Sequence, residues 1–131
     1  MASAGTVFLQ SHEFSLAAFY AGCACGCIAV CVLASNNIRD IEDDCAVGKR
    51  TFPVRFGKIA ALVGVALILL ASVAFAVLGF GTLWLLVLLV PAVLLYVLLV
   101  KAEGKKYNKC LFRFVLLDAV YVVAFGLTFL L

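Results

Sequence analysis

One stretch of this chain holds most of the residues that could do chemistry. Positions 36 to 51 read Asn-Asn-Ile-Arg-Asp-Ile-Glu-Asp-Asp-Cys-Ala-Val-Gly-Lys-Arg-Thr, and four of the seven carboxylates fall between Asp40 and Asp44. If the preceding apolar run continues as a helix, Asn36, Asp40 and Asp44 line one face, with Asp43 and Asn37 close to that stripe. Like charges four residues apart repel and destabilise a bare helix. A divalent cation reverses that sign. Mg²⁺ takes oxygen ligands, keeps several waters, and is often held by one or two carboxylates plus substrate phosphates. Arg39, Lys49 and Arg50 are placed to take the remaining phosphate charge. The pattern suggests a diphosphate headgroup at the mouth of apolar helices, with a lipid tail among them. The plainer alternative is a solvated loop whose acids and bases pair with one another.

The elements that must position this stretch are apolar. The 131 residues are 67% hydrophobic with a mean hydropathy of +1.25, against about 45–50% apolar in soluble domains. That excess identifies an integral membrane protein. Four apolar runs, about 14–35, 58–78, 82–100 and 113–131, are each long enough to span a bilayer. The expected architecture is all-α: a polytopic transmembrane bundle, one domain over 1–131, with the motif loop at 36–57. Gly79-Phe80-Gly81 predicts a tight turn, and Pro91 a kink in the third span. Trp84 and Tyr96 flank that span as aromatic belts do. In the first span Ala18, Gly22 and Gly26 recur every four residues and predict a closely packed neighbour. Residues 1–13 carry no base and do not read as a cleavable signal peptide.

All ten bases lie in two segments, 39–58 and 101–113. With four spans both segments fall on one side, which the positive-inside rule makes cytoplasmic. The expected location is the cell membrane, multi-pass, with both chain ends outside. Nucleic acid is not an expected partner.

At this point the residues resemble a family. The UbiA superfamily of intramembrane prenyltransferases carries two aspartate-rich motifs, and the second has the form D-x-x-x-D, matched by Asp40 and Asp44. A longer run is also matched, by Asn36, Asn37, Arg39, Asp40, Asp44, Gly48, Lys49, Arg50, Thr51, Val54, Arg55 and Gly57. It is most similar to the branch that prenylates 1,4-dihydroxy-2-naphthoate in menaquinone biosynthesis. The resemblance implies Mg²⁺ on Asp40, Asp43 and Asp44, with Asp40 and Asp44 the catalytic pair. It implies that Asn36, Asn37, Arg39, Lys49 and Arg50 bind the diphosphate of a polyprenyl diphosphate, and that an aromatic acceptor attacks the ionised prenyl carbon. Family members have about nine spans and a first motif absent here, so the chain resembles the last four spans. A missing N-terminal half, or association of copies, is then expected. Two alternatives remain: a non-catalytic small membrane subunit or inactive fragment, and a prenyltransferase acting on another aromatic acceptor.

The remaining polar residues carry weaker signals. Cys23, Cys27 and Cys31 share a helix face, but without a histidine they read as small apolar residues rather than a soft-metal site. His12 reads as a solvated residue at an interface. Asp118 falls inside the fourth span, where a charge is costly. It is expected either to pair with Arg113 or Lys109 or to face a cavity. Lys105, Lys106 and Lys109 are suited to attracting anionic lipid.

Overall fold

A computed structural model describes residues 5, 9, 12, 13, 15–104 and 106–130, the last two by backbone alone. The elements are α1 (Leu16–Arg39), α2 (Ile41–Ala46), α3 (Phe52–Phe80), a 3₁₀ segment (Leu83–Leu88), α4 (Leu89–Val100) and α5 (Lys106–Leu130). No strand occurs among the described residues. Four helical stretches are long and apolar enough to cross a membrane: Leu16–Arg39, Phe52–Phe80, Leu83–Val100 and Lys106–Thr128. The chain is a multi-pass, all-helical membrane protein.

Local chemistry sets the ends of these helices. Ser15 caps α1, its hydroxyl accepting from the Ala18 N–H at 3.2 Å. α3 opens after Thr51 with Pro53 in its first turn, a position that has no N–H to satisfy. It closes on Gly81, whose φ of 65° lets its N–H reach the Val77 carbonyl at 2.8 Å. The turn expected at 79–81 is therefore a glycine cap on a helix that runs to Phe80. Gly57 interrupts α3 with φ 86° and ψ 162°, a conformation glycine alone adopts readily. It separates an interfacial turn, carrying exposed Phe52 and Phe56, from the spanning helix. The irregularity expected at Pro91 takes the form of a change of helix type. The third span starts as 3₁₀ and becomes α at Leu89, which leaves Pro91 in the first α-helical turn.

The segment expected to be a loop at 36–57 is mostly helical. Residues 36–39 finish α1, Ile41–Ala46 form α2, and 52–56 belong to α3. Helix continues because the backbone bonds of α1 extend across Asp40. The Asp40 N–H reaches the Asn36 carbonyl at 3.1 Å, and the Asp44 N–H reaches the Asp40 carbonyl at 2.8 Å. The second basic loop is also shorter than expected, since α5 starts at Lys106.

Buried positions recur every three to four residues: Ala24, Ile28, Cys31, Ser35 and Ile38 on α1, and Cys110, Phe114, Leu117, Tyr121 and Ala124 on α5. This spacing is that of left-handed helix packing. On α3 the matching row is Ala61, Val65, Leu69, Val73 and Ala76. Two buried serine hydroxyls find partners inside the bundle, whereas the Thr51 and Thr82 hydroxyls have none among the described residues. Ser35 donates to the Cys31 carbonyl at 2.7 Å. Ser72 bonds the Leu69 carbonyl at 2.7 Å and the Tyr121 hydroxyl at 3.0 Å, which ties α3 to α5.

Along the small-residue stripe of α1, Ala18 and Gly22 are half-buried. Gly26 is exposed, and a Cβ added there would meet nothing within 4 Å. α1 turns its Ala24–Ile28–Cys31 face to the described helices, with the Cys31 thiol against the Val65 carbonyl of α3. All six cysteines are free thiols.

Candidate functional site

The acidic stretch sits at one end of the bundle, where α1 passes into α2. Arg39 holds its geometry. Nε meets Asp40 Oδ1 at 2.6 Å, and Nη2 meets Asp40 Oδ2 at 2.8 Å, a two-point grip on one carboxylate. The same guanidinium reaches across to α5, where Nη1 donates to Asn108 Oδ1 at 2.7 Å. Asn108 was not singled out by its sequence context. The contact spans 69 positions, and nothing in a polar residue of a basic loop marks it as a partner.

Asp44 is the buried acid of the cluster, 6% exposed. It accepts from the Lys49 ammonium at 2.8 Å. The Lys49 N–H also reaches the Asp44 carbonyl at 2.9 Å, so the turn after α2 folds back on this one residue. Gly48, with φ 72°, makes that turn possible.

Electrostatics follow the contacts. The Arg39 hydrogen bonds hold the Asp40 carboxyl below the usual carboxylate range, with charge attraction from Arg39 and Lys49 acting in the same direction. Asp40 is therefore ionised at neutral pH. The hydrogen bond to Asp44 raises the Lys49 ammonium, with Asp44 and Asp40 both contributing by charge. Lys49 is thus within electrostatic reach of both aspartates that lie four apart.

The expected residues are brought together unequally. Asn36, Asp40 and Asp44 are linked turn by turn through the backbone. Asp40 and Asp44 each face a cation. Asn36 and Asn37 are half-buried on α1, and Asn37 lines an apolar cavity of about 310 Å³ between α1 and α3. Asp43 and Arg50 are exposed. Among the described residues no three of His, Cys, Asp and Glu are gathered to hold a metal ion. The donor set is all oxygen, in kind and number what Mg²⁺ takes from a protein when phosphates complete its shell. Residues 39 to 50 carry three bases against four acids, a balance that can accept a dication.

Asp118 lies deeper than its sequence position implied. It is twelve residues into α5, about 18 Å at 1.5 Å per residue. Neither Arg113 nor Lys109 forms an ion pair with it among the described residues. Its Oδ1 is buried without a donor among the described residues.

The fold and site are those of a membrane-spanning helical bundle with an acidic helix end laced by arginine and lysine. The chain belongs to the UbiA prenyltransferase family, whose model matches residues 1–129. Part of it is 42% identical over 57 residues to the 1,4-dihydroxy-2-naphthoate octaprenyltransferase of Escherichia coli (strain K12), covering 44% of this chain and 18% of that protein. A second 1,4-dihydroxy-2-naphthoate octaprenyltransferase, from Haemophilus influenzae (strain ATCC 51907 / DSM 11121 / KW20 / Rd), is 42% identical over 53 residues, 40% of this chain and 17% of that protein. The matched segment thus spans less than a fifth of either relative. No solved structure gives a significant match.

Proposed function

We propose that this chain supplies the second aspartate-rich half of a prenyltransferase site that transfers a polyprenyl group from polyprenyl diphosphate to 1,4-dihydroxy-2-naphthoate. The observation that carries this is the Asn36–Asp40–Asp44 register, linked turn by turn and faced by Arg39 and Lys49. The two naphthoate octaprenyltransferase relatives support the acceptor.

Asp40 and Asp44 are the residues that would hold Mg²⁺, with exposed Asp43 able to add an oxygen through water. When bound, that cation neutralises diphosphate charge and makes it a better leaving group. The chain's own residues do the rest. Arg39, fixed by Asp40 and Asn108, keeps the carboxylate ionised and pointed. Lys49 and the exposed Arg50 offer preorganised positive charge where negative charge grows on the departing oxygen. Asn36 and Asn37 present amide groups to the headgroup. The aromatic acceptor attacks the prenyl carbon as the C–O bond breaks. In this branch the acceptor then loses its carboxylate as CO₂.

The rest of the site comes from a partner segment, either an N-terminal half or another copy. Exposed Gly26 on α1 supports this, since it leaves room for a close neighbour. The motif end is cytoplasmic and both chain ends lie outside, which the placement of all ten bases supports.

The test is an assay of membranes carrying the complete protein, supplied with octaprenyl diphosphate and 1,4-dihydroxy-2-naphthoate. Prenylated naphthoquinol forming with Mg²⁺ and stopping with EDTA is expected. No product, or equal product with EDTA, refutes the proposal. Sequencing the DNA upstream of Met1 tests the shared site separately. Further spans with a first D-x-x-x-D motif are expected there or in a neighbouring gene.

A further inference from the structure

A second charged feature lies apart from the acidic stretch. Lys106, Lys109 and Arg113 fall at i, i+3 and i+7 on α5 and share one face. Lys101 ends α4 on the other side of the short connection. With Leu98, Ala102 and Cys110 these four cations line a cavity of about 330 Å³ at the end of the bundle. The lining holds no carboxylate. Among the described residues none of the four cations forms an ion pair, and all four are exposed.

Like charges around one cavity repel, so the arrangement calls for an anion. The start of α5 at Lys106 adds the positive end of a 25-residue helix. The cavity is not charged throughout. Its membrane-ward wall is Leu98, and Leu94, four residues earlier on the same face of α4, continues that wall downward. Both are exposed, at 41% and 61%. Positive charge at headgroup level over an apolar strip at hydrocarbon level is the profile of a phospholipid, one end of which is a phosphate and the other an acyl chain.

We propose that this cavity binds an anionic phospholipid, its phosphate held by Lys101, Lys106, Lys109 and Arg113 and an acyl chain lying on Leu98 and Leu94. Basic pockets between spanning helices on the positive side of a membrane protein favour such headgroups. A free phosphate offers the cations the same chemistry but has no use for the apolar strip, and that strip decides for the lipid. The cavity shares no lining residue with positions 36–50, so the proposal stands independently of prenyl transfer.

The test is native mass spectrometry of the full chain in detergent, titrated with phosphatidylglycerol or with phosphatidylcholine of the same acyl chains. The wild type should retain phosphatidylglycerol in preference. Lys109→Gln with Arg113→Gln should weaken that binding roughly 25-fold, at about 1 kcal/mol per cation and 1.4 kcal/mol per tenfold. Arg55→Gln with Lys58→Gln removes the same charge from the other basic segment and should leave the preference largely intact. Leu98→Trp fills the apolar wall while keeping every cation, and should weaken lipid binding without altering helicity by circular dichroism. Equal losses in the two double variants would reduce the effect to general surface charge and overturn the proposal. So would equal retention of phosphatidylcholine, or displacement of the lipid by millimolar inorganic phosphate, which would make free phosphate the occupant.

Discussion

The crossing of α1 and α3 makes a quantitative prediction about two glycines of the same helix. A Cβ built on Gly79 lies 2.7 Å from the Tyr20 Cβ and 3.6 Å from the Ala17 carbonyl oxygen. Carbon atoms in contact sit about 3.5–4.0 Å apart, so Gly79→Ala must open the crossing by roughly 1 Å. Tyr20 cannot swing aside to relieve this. The clashing atom is the first of its side chain, and its ring is stacked on Phe75 with centroids 6.2 Å apart. Overpacking of this kind costs about 1–3 kcal/mol. A Cβ at Gly64 would meet nothing within 4 Å, so Gly64→Ala keeps only the gain of alanine over glycine inside a helix, about 1 kcal/mol. The propensity gain is common to both variants and cancels in their difference. Gly79→Ala should therefore be less stable than Gly64→Ala by about 1–3 kcal/mol. Reversible unfolding in mixed micelles, followed by circular dichroism, measures that difference. Equal stabilities, or Gly79→Ala the more stable, would show that α1 and α3 do not cross where described.

Three further outcomes follow from named contacts. Arg39→Lys loses the two-point grip on Asp40 and the reach to Asn108. At about 1.5–3 kcal/mol for bonds to a charged group, prenyl transfer by the complete protein should fall roughly tenfold to a hundredfold, and an unchanged rate would count against Arg39 as the positioning residue. Asp40 should stay ionised as pH falls past the ordinary aspartate value of 3.8, because its folded value is lower. Its contribution to stability is whole above 3.8 and is lost only as pH falls through that depressed value. Carboxyl-carbon NMR of Asp40 reads this directly, and a midpoint above 3.8 would contradict it. Tyr121→Phe should cost about 1 kcal/mol, because Ser72 keeps its bond to the Leu69 carbonyl, whereas Tyr121→Leu leaves a cavity and should cost about 2–5 kcal/mol. Equal losses in these two variants would mean that the hydroxyl rather than the ring stabilises the core.

The four spans were legible because hydropathy over about twenty residues is a strong signal and positive charge was confined to two segments. The packed face of each helix was not. Inside a membrane both lipid-facing and core-facing positions are apolar, so Ala24–Ile28–Cys31 could not be told from Val30 or Leu33 by composition. Small residues suggested the opposite face, where Gly26 is exposed. The acidic stretch was legible in type and spacing, since helical register follows directly from residues four apart. Its ion pairing was legible only in part. Arg39 next to Asp40 is local, but Asn108 reaches Arg39 through the fold, and the burial of Asp44 depends on the Gly48 turn. Asp118 was misplaced by two turns. A run of apolar residues marks the hydrocarbon-spanning part and not the helix start, and α5 begins seven residues earlier than the expected span, with Lys106.

The central claim is that Asp40 is an ionised ligand-bearing carboxylate in a prenyltransferase site, and Asp40→Asn tests it most directly. The side chain keeps its size and one of its two hydrogen bonds from Arg39 while losing its charge. In the complete protein, Mg²⁺-dependent transfer of an octaprenyl group to 1,4-dihydroxy-2-naphthoate should drop by about a hundredfold or more, the scale of losing about 2.7 kcal/mol of transition-state stabilisation. Activity at the wild-type level, with the same Mg²⁺ dependence, would contradict the role assigned to the Asn36–Asp44 stretch.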